Sequence, residues 1–258
     1  MMIEDKKEIE KLLLEYLKII ISEYGNHIDG DIVHYLLTNN VVEFSENNTV
    51  SFLVYKNVLY LPKQVYAIMP SIESNIGYGS NRGHRRQPEE YLDTNTTYYD
   101  YINHFILAGL TPLEYFKESL LHEAMHLCGC RGGNPLEEGI TELKTRELAQ
   151  KYGIVISGYG YPKEVEVAKR VQSIIGKDVI EELMFLPYDR KRSFLIEKVG
   201  IEKADLYFTV SKDMQRLSAS YFEQVKSASD PYQKAELYSN INYSTILAYL
   251  DEYENKLL

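Results

Sequence analysis

The segment from Pro112 to Cys128 carries a His-Glu-Ala-Met-His pentapeptide at its end, and it restricts the fold more than any other stretch. Thr111-Pro112-Leu113-Glu114 opens it as a capping box with proline at the first helical position. The Thr hydroxyl can accept from a free backbone N–H, and Glu114 can reach back to the cap. Leu113, Phe116, Leu120, Leu121, Ala124 and Leu127 then recur at spacings of three and four, which predicts a helix with one buried face. Gly129 supplies the left-handed residue with which helices commonly end. On such a helix His122 and His126, four residues apart, share a face, so both imidazoles can reach one metal ion. Glu123 then stands beside that ion, where it can take a proton from water.

Two histidines do not complete a catalytic zinc site, which ordinarily takes three protein ligands and leaves one position open. Asn134-Pro135-Leu136-Glu137 repeats the capping grammar and starts a second helix through Glu138-Gly139-Ile140-Thr141-Glu142. Glu138 and Glu142 share a face, whereas Glu137 is turned away and belongs to the cap. Glu138 is therefore the expected third ligand. Glu142, one turn on, is the expected acceptor for the outer N–H of a ligating imidazole, His122 in particular. Gly139 fits a close approach of the two helices. The competing reading of Glu137, Glu138 and Glu142 is a solvated acidic face.

His122–His126 followed by Glu138-Gly139-Ile140-Thr141-Glu142 resembles the zincin metallopeptidases of the gluzincin type. Thermolysin-like members carry H-E-x-x-H and then N-E-x-x-[ST]-D, in which the first Glu binds zinc and the Asp supports a ligand His. In this chain Glu137 stands where that element has Asn, and Glu142 stands where it has Asp. The E-G-x-T-E form looks more like small bacterial zincin domains than thermolysin. The gap from His126 to Glu138 is also shorter, so the connection between the helices must differ. The resemblance covers about residues 105–150. The H-x-x-G-x-x-H continuation of metzincins and the E-x-E-A-x-x-F-A pattern of repressor-cleaving zincins are both missing. The resemblance implies an α+β, zincin-like fold, with a small antiparallel or mixed sheet packed on the motif helix and one edge strand lining the substrate groove. A mainly helical C-terminal lobe follows, with the cleft between the two. The implied division is 1–155 for the metal-binding lobe and 156–258 for the helical lobe. The implied activity is a Zn2+-dependent peptidase, with endopeptidase action favoured over exopeptidase action.

Cys128 and Cys130 are the only cysteines. With His122 and His126 they offer a rival, a closed structural Cys2His2 zinc site. Helical geometry opposes it, because Cys128 lies two residues past His126 and points to nearly the opposite face, although Cys130 could return after Gly129. Small buried packing residues are the default for both. A third possibility is a catalytically silent zincin-like module that binds a partner.

At 258 residues with net charge −10, the chain can bury a full core but lacks the basic surplus that a nucleic-acid partner needs. The start from Met1 to Lys7 shows no secretory signal pattern. Glu15 and Lys18 interrupt the apolar run Leu12–Ile21, which is too short to span a membrane. These points lead to the expectation of a cytoplasmic protein, with export lacking a cleaved signal as the alternative; a peptide or protein substrate is what the zincin resemblance implies.

Elsewhere, Glu4–Tyr24 and Asp29–Leu37 read as helices. Val41–Phe44, Val50–Tyr55 and Val58–Leu61 read as an antiparallel meander. Ser71–Thr97 is a long polar stretch holding the basic run Arg82–Arg86, either a solvated loop or a cover for the cleft. Past Gly153, helices are expected at Lys163–Ile175, Asp178–Phe185, Lys191–Val199, Ile201–Val225 and Pro231–Asn255, with room for a β segment at Leu206–Val210. His27, His34, His84 and His104 read as structural.

Peptide hydrolysis also needs a donor for the developing oxyanion. No histidine follows His126, so tyrosine is the natural substitute. Tyr161, in Gly158-Tyr159-Gly160-Tyr161-Pro162, is preferred over Tyr159, with Arg131 and the Arg82–Arg86 run as alternatives.

Overall fold

The fold is seen in a computed structural model that describes residues 6–39, 41–45, 53–55, 58–62, 112–130, 134–156, 161–227 and 240–257. The helices among these residues are α1 (Lys6–Tyr24), α2 (Gly30–Thr38), α3 (Pro112–Leu127), α4 (Pro135–Tyr152), α5 (Pro162–Ile175), α6 (Lys177–Met184), α7 (Tyr188–Val199), α8 (Ile201–Ser227) and α9 (Ser244–Leu257). Three short strands, β1 (Val42–Ser45), β2 (Leu53–Tyr55) and β3 (Val58–Pro62), lie between α2 and α3.

This overturns the expected α+β class. The described residues are mostly helical, and the strands among them are confined to three short segments within 42–62. Nor do they form a meander. β3 lies between its neighbours, antiparallel to β2 and parallel to β1, in the order β1-β3-β2. The β-rich runs in the sequence are real local signals, but helix-on-helix packing buries most of the core. Leu206–Val210 is likewise helical, inside the unbroken α8, because Leu206, Tyr207 and Val210 meet the core at helical spacing.

α1 buries the stripe Ile9, Leu13, Tyr16, Leu17, Ile20 and Tyr24, and it packs on α3. α3 hides Phe116, Leu120, Leu121, Ala124 and Leu127 as expected, and Met125 as well. The capping residue Thr111 lies outside the described residues, as do 71–97, Arg131 and Tyr159.

α4 is the central element, in contact with α3, α5, α6 and α8. Asn134 caps it by accepting from the Glu137 amide, and Gly153 closes it in the left-handed conformation. The helix is buried over most of its length although five of its twelve buried residues are polar or charged. Each therefore needs a partner. Thr141 and Thr145 donate to the carbonyls one turn back. Lys144, fully buried, pairs with Glu147 at 3.1 Å and with Glu181 on α6 at 2.9 Å. Glu137 does not serve the cap with its side chain as expected. Its Oε1 accepts from the buried Lys191 Nζ on α7 at 2.6 Å. Gly139 is a close-approach glycine, but its neighbour is α5 rather than α3. A Cβ there would stand 2.5 Å from the Glu164 carbonyl oxygen.

No helix among the described residues is long and apolar enough to cross a membrane. Two substitutions test the packing of α4. Gly139→Ala forces α4 and α5 apart and is expected to cost about 1–3 kcal/mol, read as a lower midpoint in urea unfolding. Lys191→Met strands the Glu137 charge and is expected to cost about 3–5 kcal/mol. Adding Glu137→Gln should restore much of that loss, and no restoration would refute the pairing.

Candidate metal centre

The C-terminal turns of α3 place His122 and His126 one above the other, with Nε2 atoms 3.1 Å apart and ring planes at 75°. From α4, Glu138 brings Oε2 to 3.4 Å from both Nε2 atoms. These three side chains form one group whose ligand atoms all lie within 4.8 Å of one another, and it is the only such group among the described residues. Two imidazole nitrogens and one carboxylate oxygen are a donor set suited to zinc-like divalent ions. An ion about 2.0–2.1 Å from each donor would make tetrahedral edges of about 3.3–3.4 Å. The observed separations of 3.1–3.4 Å fit that size.

The outer nitrogens are held as well. His122 Nδ1 lies 3.0 Å from Glu142 Oε2, the partner expected from the sequence. His126 Nδ1 contacts the Cys130 carbonyl. Both acceptors favour a proton on Nδ1, which turns each Nε2 towards Glu138. Glu142 in turn takes Arg146 Nε on its other oxygen at 2.9 Å.

Glu123 is half-buried beside the group and coupled to both imidazoles and to Glu138. Tyr161, the residue before α5, stacks on His122 with ring centroids 5.5 Å apart and planes at 20°. Its φ of +48° makes it the non-glycine residue in the left-handed region among those described. Thus all of His122, Glu123, His126, Glu138, Glu142 and Tyr161 meet in one place.

The two sulfurs do not join them. Cys128 is buried, and burial pushes its thiol up. Cys130 Sγ lies 2.8 Å from Thr141 Oγ1. That hydroxyl already donates to the Glu137 carbonyl, so the thiol is the donor. Sequence reasoning missed two supporting groups. Arg146 had a signal, its place four residues after Glu142 on the same helix. The Cys130 carbonyl had none, since a backbone acceptor is open to any residue type.

No known protein family, curated protein or solved structure matches this chain.

Electrostatics ties the group together even without an ion. Burial disfavours charge on His122, but hydrogen bonds with Glu138 and Glu142 outweigh it, and its pKa is pushed up to about 10. His126 also moves well above the ordinary imidazole range, with burial opposing and its contacts to Cys130 and Glu138 prevailing. Burial opposes ionisation of Glu138 too, but the two imidazoles hold it well below the usual carboxylate range. Burial raises Glu123, with the imidazoles pulling the other way.

The sign of the pH dependence follows. The raised His122 stabilises the metal-free fold fully below its unfolded value of 6.5, and that contribution disappears as pH rises towards about 10. The lowered Glu138 contributes above its unfolded value of 4.5 and stops contributing in acid. Metal-free protein should therefore be most stable between these values and lose stability steadily from pH 6.5 to 10, as followed by urea unfolding. A flat profile across that alkaline range would refute the proton-sharing arrangement.

Proposed function

We propose that this chain is a zinc-dependent peptidase of the gluzincin kind, acting on a peptide or protein substrate in the cytoplasm. The observation that carries this reading is the convergence of His122, His126 and Glu138 from two helices, with Tyr161 stacked on His122 and Glu123 within electrostatic reach of both imidazoles. The two unpaired thiols Cys128 and Cys130 agree with a reducing compartment.

His122, His126 and Glu138 would hold the ion, their outer atoms fixed by Glu142 and the Cys130 carbonyl. A bound zinc ion supplies Lewis acidity, polarising the scissile carbonyl and lowering the pKa of water. Glu123 takes the proton from the attacking water and later delivers it to the leaving amine. Burial raises the basicity of this carboxylate, which suits both halves of that task. The Tyr161 hydroxyl donates to the oxygen on which negative charge develops. Its left-handed backbone costs about 1–3 kcal/mol in a non-glycine residue, and such strain persists where the surroundings impose it. Here the tight contact of Gly139 with Glu164 sets the start of α5 and with it the tyrosine. The net charge of −10 speaks against nucleic acid as the substrate.

Metal analysis of the purified chain is expected to find zinc, and a peptide library is expected to be cut in a chelator-sensitive way. Glu123→Gln should keep the metal while lowering kcat by about 10²–10⁴-fold. Tyr161→Phe should lower kcat by about 10²-fold with KM little changed. Loss of zinc in the Glu123 variant, or full activity in it, would overturn the assigned roles. A chain that binds zinc yet leaves every peptide intact would instead be a silent scaffold. Zinc binding near neutral pH should also release protons from His122 and His126. Calorimetry in buffers of different ionisation enthalpy reads that release, and identical heats in all buffers would refute it.

A further inference from the structure

Glu142 is almost completely buried, with a side-chain exposure of 2%. A carboxylate in that position is costly unless both of its oxygens are engaged and its charge is balanced. Oε2 receives His122 Nδ1 at 3.0 Å and Oε1 receives Arg146 Nε at 2.9 Å. A carboxylate with one donor on each oxygen has a single orientation left, because rotation about its last bond breaks both contacts. The His122 ring is thereby held at three points: Nδ1 by Glu142, one face by Tyr161, and Nε2 by Glu138. Of these, the Nδ1 contact leads outward through Glu142 to Arg146 on the same helix.

We infer that Arg146 is a positioning residue of the metal centre, which through the buried Glu142 sets the ring of His122 and so the aim of its Nε2. The inference rests on the metal-site reading above. Arg146 reaches Glu142 from the same helix, one turn further on, so α4 carries the ligand Glu138, the ring-holder Glu142 and the residue that holds Glu142 in line. Its guanidinium is partly exposed, with a side-chain exposure of 21%, so it closes the polar chain at the protein surface while Glu142 stays dry. Lysine would keep the charge but not the directed Nε–H contact.

The test is zinc affinity of the full chain, measured by competition with a chromogenic chelator, together with the visible spectrum of the cobalt-substituted protein. Arg146→Met is expected to weaken zinc binding about 10-fold and to shift the cobalt bands. Arg146→Lys should fall between it and the unchanged chain. Glu142→Gln presents one carbonyl oxygen to two donors, so it should also weaken binding, and adding Arg146→Met to it should cost less than Arg146→Met alone. Binding and spectra in Arg146→Met equal to those of the unchanged chain would overturn the inference while leaving the metal centre intact. So would an equal loss with and without Glu142→Gln, since the two residues would then act independently. Failure of the unchanged chain to bind zinc at all would remove both the metal-site reading and this inference.

Discussion

A polar helix running through the middle of the molecule is the constraint on which the rest of the structure depends. α4 buries Glu137, Thr141, Glu142, Lys144 and Thr145, none of which can leave water without a partner. The surrounding helices supply those partners. α7 brings Lys191, α6 brings Glu181, α3 brings His122, and the threonines turn back on their own helix. The buried hydrophobic residues from Ile9 to Leu250 form one cluster around it, so apolar burial supplies most of the driving force. The polar contacts specify which face of α4 meets which neighbour. The cluster of His122, His126 and Glu138 is one of these contacts, a polar group that α4 had to satisfy like the others.

That view explains why the imidazoles and Glu138 sit so close. They stand as hydrogen-bonding partners that satisfy one another's polar atoms across the contact between the two helices.

The motif helix and the ligand helix were readable because each carries its own start signal, period and stop. Pro112, the Phe116 to Leu127 stripe and Gly129 marked α3; Asn134 and Gly153 marked α4. The shared face of Glu138 and Glu142 followed from spacing alone. Fold class was not readable in the same way. The strand-like runs before residue 62 carried a strong local signal, yet the weight of the structure lies in helices whose packing is non-local. Glu137 misled because a capping residue and a buried ion-pair partner look alike until Lys191, on another helix, is seen beside it. Gly139 announced a close contact without saying with which helix. Leu206–Val210 is β-branched and aromatic in part, and tertiary context overrode that preference.

The run Glu137-Glu138-Gly139-Ile140-Thr141-Glu142 points in successive directions: to Lys191, to the imidazoles, to the α5 backbone, to the core, to Cys130 and to His122. Each of the six neighbouring positions thus has its own contact, with Glu138 and Glu142 taking opposite nitrogens of His122. Adaptive change in this molecule has little room inside that hexapeptide. The freer ground is the rim at the entrance to α5, where Tyr161 faces solvent with one side and His122 with the other. Substitutions would be absorbed there first, around a cluster whose neighbours hold it as it is.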